Sequence, residues 1–396
     1  MRRMTWRAAA LAVFLTVFLT GCWSRIEIND LAIVSIVALD REEDGALRVS
    51  LQIIIPQRIS HPGAAGPSGD KPPVVVVSGT GRTMLDTIRK LQLQLPRRVF
   101  LAHANVILIG ERLAETGLEP VADFLSRFRE VRPTSLLLAV RGEALAILQV
   151  RLDLERIPAE AVREVERTHT GLSVTLREFA RDWRQQGRDP VLPWLAPVAA
   201  IAGREGDGGG RTLKLQGAAF FADGRLAGWL NQQETRTLMM LQGQRMIGAV
   251  TMPVGDEDRH VTVEVGSETI HREVTWQRGR PGIAVHVVLE GTLQDTQAPL
   301  DLRDPTVLIA LERAMERRVV DRLRRTLEQA TATGADPFGF GRLVERANPN
   351  AWRRLGPRWR EEIRHLPVAI DVQARIRKTG LSNRSKAIPE GGEPAP

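Results

Sequence analysis

The chain has 396 residues but only one cysteine, Cys22, so no disulfide can close within it and its fold must rest on packing and hydrogen bonding. The position of that cysteine adds a second constraint. Arg2, Arg3 and Arg7 form a positive start, and Ala8 to Leu19 is apolar apart from Thr16. A run of roughly a dozen residues suits a secretory signal and falls short of a membrane span. Leu19-Thr20-Gly21-Cys22 follows with the order of a bacterial lipobox, in which an aliphatic residue and two small residues precede a thiol to be acylated. Cleavage is expected before Cys22, with S-diacylglycerol and N-palmitoyl groups on that residue. One acyl chain binds a bilayer marginally, whereas two hold firmly.

Removing residues 1–21 leaves about 375, more than one hydrophobic core commonly organises. No later stretch is long and apolar enough to span a bilayer. The net charge of +8 falls by three when the signal arginines leave, and all but five of the 55 basic residues are arginine. No basic run interleaved with aromatic residues occurs, so nucleic acid is not an expected partner. A charge-mixed surface near acidic phospholipid is the reading.

Ile33 to Leu39 is an apolar run, and Leu47, Val49, Leu51, Ile53 and Ile55 alternate, with Asp44-Gly45 between them as a hairpin signal. His61 to Pro73 reads as a loop before a strand at Val74 to Val77. Leu85, Ile88, Leu91 and Leu95 recur at helical spacing up to Pro96, and Asn105 to Ile109 reads as a buried strand. Val121, Phe124, Leu125 and Phe128 make one helical stripe, Leu136 to Val140 a further strand, and Thr175 with Glu178 a capping box opening a helix.

Gly203 to Gly210 is the clearest linker inside the chain. Beyond it, Asp223-Gly224 predicts a hairpin, Asn231 with Glu234 a helix start, and three segments within Val261 to Leu293 read as strands. Asp304-Pro305 opens the longest helix, its apolar face running from Leu308 to Leu327. Val368 to Ile376 alternates as a last strand. The expected class is α+β, a multi-domain mixed α/β lipoprotein with largely antiparallel or mixed sheets packed on helices. Its expected regions are a signal peptide at 1–21, an N-terminal domain at 22–202, a linker at 203–211, a C-terminal domain at 212–378 and a disordered tail at 379–396.

Candidates for chemistry are few. The histidines at 61, 103, 169, 260, 271, 286 and 365 lack the close pairing of a zinc site. Gly79-Thr80-Gly81 lacks the third glycine and the lysine of a phosphate loop and reads as a helix-start turn. His169, Ser173 and Asp182 are explained by caps and turns, with no glycine-flanked nucleophile elbow. Phe338-Gly339-Phe340-Gly341 reads as a tight turn pinned into the core by its two phenylalanines. No catalytic residue, metal site or cofactor is expected.

Several segments, in order, resemble the Ger(x)C family, the lipoprotein C subunits of germinant receptors. Gly21-Cys22-Trp23 with Glu27 to Ala32, Leu91 to His103, Asn105 to Gly110, Asp189 to Pro193, Gly228-Trp229-Leu230 with Glu234-Thr235-Arg236, and Asp336 to Gly341 with Trp352 and Trp359 carry the likeness. Ser24 departs from it, standing where the family commonly has an acidic residue. The resemblance implies three mixed α/β domains, hence a further division near Gly255. It also implies a non-catalytic subunit that works with A-type and B-type integral membrane subunits to trigger spore germination, lipid-anchored on the outer face of the spore inner membrane. A lipid-anchored solute-binding protein is the alternative.

Overall fold

The computed structural model describes residues 30–58, 72–150, 158–167, 171–199, 211–244, 248–255 and 259–378. The signal segment 1–21, Cys22, residues 203–210 of the linker, most of the His61 to Pro73 loop and the 379–396 tail lie outside the described residues.

Nine strands form the first sheet: β1 (Leu31–Arg41), β2 (Leu47–Ile54), β3 (Val74–Gly81), β4 (Arg98–Phe100), β5 (Val106–Gly110), β6 (Leu136–Val140), β7 (Val191–Ala199), β8 (Arg211–Ala222) and β9 (Arg225–Asn231). Their order is β3-β2-β1-β5-β6-β7-β8-β9, with β4 beside β1. Its centre is parallel, from β1 through β5 and β6 to β7, and both flanks are antiparallel. A parallel strand covered on both faces should be apolar throughout. Accordingly, every residue of β5 and β6 is buried. Ile107 and Ile109 point into one hydrophobic cluster, Val106 and Leu108 into another.

The first cluster is filled by α1 (Met84–Gln94), α2 (Glu111–Thr116), α3 (Glu119–Arg127) and later helices; α4 (Ala144–Leu148) and α5 (Pro158–Arg167) cover the second. Helix α6 (Leu176–Arg184) opens on the capping box of Thr175 and Glu178, and α7 (Gln232–Leu241) on that of Asn231 and Glu234. Asp223 and Gly224, with φ of 50° and 72°, make the left-handed two-residue turn joining β8 to β9.

The second sheet has the order β10 (Gly248–Pro253), β11 (His260–Gln277), β12 (Arg280–Thr296), β13 (Val368–Lys378). Strands β12 and β13 are parallel, which requires a crossover. It is supplied by α8 (Pro305–Thr331), α9 (Phe340–Ala347), α10 (Pro349–Leu355) and α11 (Trp359–Glu362). Helix α8 starts at an Asp304 cap and buries Leu311, Met315, Val319 and Leu323 along one stripe. Strand β13 is the sheet's edge, and α8 closes it. Glu316 accepts from the Ala374 amide at 3.0 Å and Glu312 from the Ile376 amide at 2.8 Å. Four residues of helix rise about 6 Å and two of strand about 6.6 Å, so the two carboxylates match alternate amides.

The structure adds three details to the sequence reading. The 203–211 linker does not divide one sheet from the other, because β7 and β8 on either side of it pair from Val191↔Phe220 to Ala199↔Arg211. The first sheet therefore continues to Asn231. The division near Gly255 falls in the connection between β10 and β11, which pair with each other. In α1 the buried stripe is Met84, Thr87, Ile88 and Leu91, while Leu85 is exposed.

Candidate functional site

Two of the segments that carry the family likeness, Asp189 to Pro193 and Asp336 to Gly341 with Trp352 and Trp359, meet where the two sheets meet. Asp189 precedes β7, and Asp336 follows α8. The Asp336 amide donates to Asp189 Oδ2 at 2.7 Å, and the Asp189 amide returns a bond to the Asp336 carbonyl at 2.9 Å. The Asp336 carboxylate accepts four donors. Gly339 and Phe340 amides reach Oδ1 at 2.9 and 3.0 Å; the Gly341 amide and Trp359 Nε1 reach Oδ2 at 2.7 and 2.9 Å. Arg360 grips both oxygens of Asp189, at 2.9 and 3.1 Å, and extends its Nε to Asp223 in the β8–β9 turn. Such paired contacts fix orientation as well as charge.

Asp336 is 1 % exposed. Burial pushes its carboxyl up to about 6, against the four donors, and the neighbouring charge of Asp189 adds to the push. Beside it Arg272 donates to the Leu241 and Phe338 carbonyls, and burial followed by the charge of Arg188 lowers its guanidinium to about 10. Phe338 and Phe340 stack at 5.2 Å inside the core, as their turn predicted. The cluster holds two sheets in register; both Asp336 oxygens are taken by donors, which leaves neither placed as a base.

A second set of contacts gathers within the first sheet and reaches α8 through one hydrogen bond. Trp194 and Trp229 meet edge to face at 5.5 Å, with the Arg141 guanidinium 5.8 and 5.5 Å from their centroids. Trp229 donates to Glu111, and its carbonyl accepts from Gln329 of α8. In the Leu91 to His103 segment, Gln92 bonds the Arg97 carbonyl and the Val99 amide, bracing the turn after α1.

At the carboxyl ends of β1, β5 and β6 lies a crevice of about 780 Å³ lined by an excess of acids, among them Asp40, Glu42, Glu111 and Glu143, over Arg41, Arg48 and Arg112. Asp40 accepts from the first two amides of α4, at 2.7 and 3.0 Å, and burial raises its carboxyl. Gly110 is required there because a Cβ would strike Asp40.

Two further candidates find structural roles. Gly79, Thr80 and Gly81 end β3, and Thr83 caps α1 by accepting from the Asp86 amide. Asp182 pairs with Arg181 and Arg188; His169 and His61 lie outside the described residues. No three acids, histidines or cysteines come together to hold a metal ion among the described residues. No helix among them is long and apolar enough to cross a membrane. Cys22 lies outside them, eight residues before the first described position, Asp30.

The chain has known counterparts in sequence and in fold. The family description "Spore germination protein N-terminal domain" matches residues 24–197, and "Spore germination B3/ GerAC like, C-terminal" matches 216–380. The chain belongs to the Ger(x)C family of spore germination proteins. Spore germination protein KC of Bacillus subtilis (strain 168) is 28 % identical, covering 95 % of this chain and 96 % of its own. Putative spore germination protein YfkR of the same organism is 27 % identical, covering 94 % and 96 %. The crystal structure of the GerBC protein, 18 % identical, superposes with a TM-score of 0.55 over 86 % of this chain and 96 % of that one, which bears on the fold alone.

Proposed function

We propose that the chain is the lipid-anchored, non-catalytic subunit of a nutrient germinant receptor, required for spore germination and docked on A-type and B-type integral membrane subunits. The observation that carries this reading is family membership along nearly the whole chain, joined to a lipobox that ends at the lone Cys22. The titratable cluster at the centre is spent on holding the sheets, which supports a binding body over an enzyme. Its localisation is then the outer face of the spore inner membrane.

An anchor on Cys22 also orients the body. Eight residues span at most about 28 Å, so the start of β1 stays close to the bilayer. Strands β1, β5, β6 and β7 run parallel, so Asp189 and the clasp lie at that same end of the sheet. The acidic crevice lies at the opposite end, away from anionic lipid, as electrostatics favours.

Cys22→Ala tests the anchor: fractionation of cells should show release from membranes, and spores should germinate poorly on nutrients while the soluble body stays folded. Retention of the variant on membranes would overturn it. The solute-binding alternative needs two similar lobes around a cleft. The nine-stranded and four-stranded sheets are unlike, so no observation favours it.

A further inference from the structure

Between α7, α8 and the second sheet lies a cavity of about 320 Å³ whose lining includes Arg236, Arg318 and Arg322. Arg318 and Arg322 are one turn apart on α8 and share its face. Arg236 comes from α7 and lies over Gly248 of β10, where a Cβ would stand 3.1 Å from its Nη1. The Nε atoms of all three arginines are shut off from solvent and make no hydrogen bond. Among the described residues, none of the three has a carboxylate within salt-bridge distance. Glu268 is the one acid on the lining.

Three guanidinium groups turned into one hollow repel each other, and a buried donor without an acceptor is costly. Burial lowers the proton affinity of Arg322, and the charges of Arg318, Arg325 and Arg236 lower it further. Nothing in packing the helices requires this arrangement, because the α8 stripe of Leu311, Met315, Val319 and Leu323 already seats α8 on the core. Guanidinium forks match planar oxyanions with paired N–H donors. The apolar part of the wall includes Met240, Val250, Val265, Leu289 and Val319, and Gln233, Thr237, Thr251, His260 and Glu268 make the remainder polar. Small-molecule sites combine such a wall with a few convergent polar groups, at volumes from about 300 Å³ upward.

We propose that this cavity binds a small organic oxyanion, a carboxylate or phosphate ester carried on a short hydrocarbon body, held by Arg236, Arg318 and Arg322. The proposal is independent of the receptor reading. Two sources share that chemistry, a free metabolite and the head group of an anionic membrane lipid.

The test is thermal unfolding and titration calorimetry of the full chain in non-ionic detergent. Hexanoate and hexyl phosphate represent the free source, and dihexanoyl phosphatidylglycerol the lipid source. Hexanol, hexylammonium and dihexanoyl phosphatidylcholine serve as controls. At least one oxyanion probe raises the melting temperature in a saturable manner, and whichever group does so identifies the source. The Arg318→Gln/Arg322→Gln double variant melts in ligand-free buffer at the same or a higher temperature, because the repulsion is relieved, and loses at least about tenfold in probe affinity. That combination separates a binding role from a folding role. The proposal is overturned if no oxyanion probe shifts melting, if hexanol shifts it as far, or if the double variant keeps the response.

Discussion

The backbones of Gly187 and Gly341 cross so closely that a Cβ built on Gly341 would sit 2.5 Å from the Gly187 Cα. The same Cβ would meet the Trp352 ring and Trp359 Nε1, each at 2.8 Å, while the Arg342 amide donates to the Gly187 carbonyl at 3.0 Å. The second glycine of the Phe338 to Gly341 turn is therefore where the chain of one sheet passes over the chain of the other.

Gly341→Ala is expected to destabilise the full chain by about 2 kcal/mol or more, since backbone and two indoles must give way together. Gly266→Ala is the control, because a Cβ there meets nothing within 4 Å, and it should change stability by less than about 0.5 kcal/mol. Denaturant titration of the two variants measures both.

Asp336→Asn should cost about 2–4 kcal/mol, because an amide nitrogen replaces an acceptor facing buried donors. It should also alter pH dependence. The folded carboxyl keeps its proton up to about 6, whereas an unfolded aspartate releases it near 3.8. Protonation thus favours the folded chain, so this group's contribution is fully present below pH 3.8 and is lost as pH rises through about 6, amounting to about 1–3 kcal/mol. Unfolding free energies from about pH 4 to 7 should show that decline in the wild-type chain. The slope should be flatter in the variant, and an identical slope in both would contradict the assignment.

Glu312→Ala with Glu316→Ala uncovers the edge of β13. Hydrogen exchange should accelerate at the Ala374 and Ile376 amides, with a stability loss of about 1–3 kcal/mol in all. The exposed edge should also make the variant more prone to aggregate. Unchanged exchange at these two amides would show that the glutamates do not cover it.

Local signals were the legible portion of this fold. Asp44-Gly45, Asp223-Gly224, the capping boxes at Thr175 and Asn231, and the stripe of α8 all act within a few residues, and each stands where its residues predict. Pairing between distant segments was not legible. Strand β7 carries Pro193 and Pro197 and follows no alternation, yet it lies within the sheet. It meets β6 only at Trp194 and Leu195, which leaves Ala196 onward open on one side, where proline is tolerated. Val261 to Val265 and Ile270 to Trp276 read as two strands, but β11 runs through both with a register shift between Val265 and Ser267, as a bulge permits. The motif at Asp336 was visible as a turn; its partnership with Asp189, 147 residues away, had no local signature. Neither did the arginine cavity, because it draws on α7, α8 and the second sheet at once.

Retrieval of A-type and B-type membrane proteins with the tagged full chain from spore membranes is expected if the chain is a receptor subunit. Their consistent absence would remove that element of the proposal.

The anchor on Cys22 is the central claim, and mass spectrometry of the mature N-terminus from purified spore membranes tests it most directly. The account predicts a chain that begins at Cys22 with a diacylglyceryl group on its sulfur. A free thiol there, or a mature chain beginning at another residue, would contradict it.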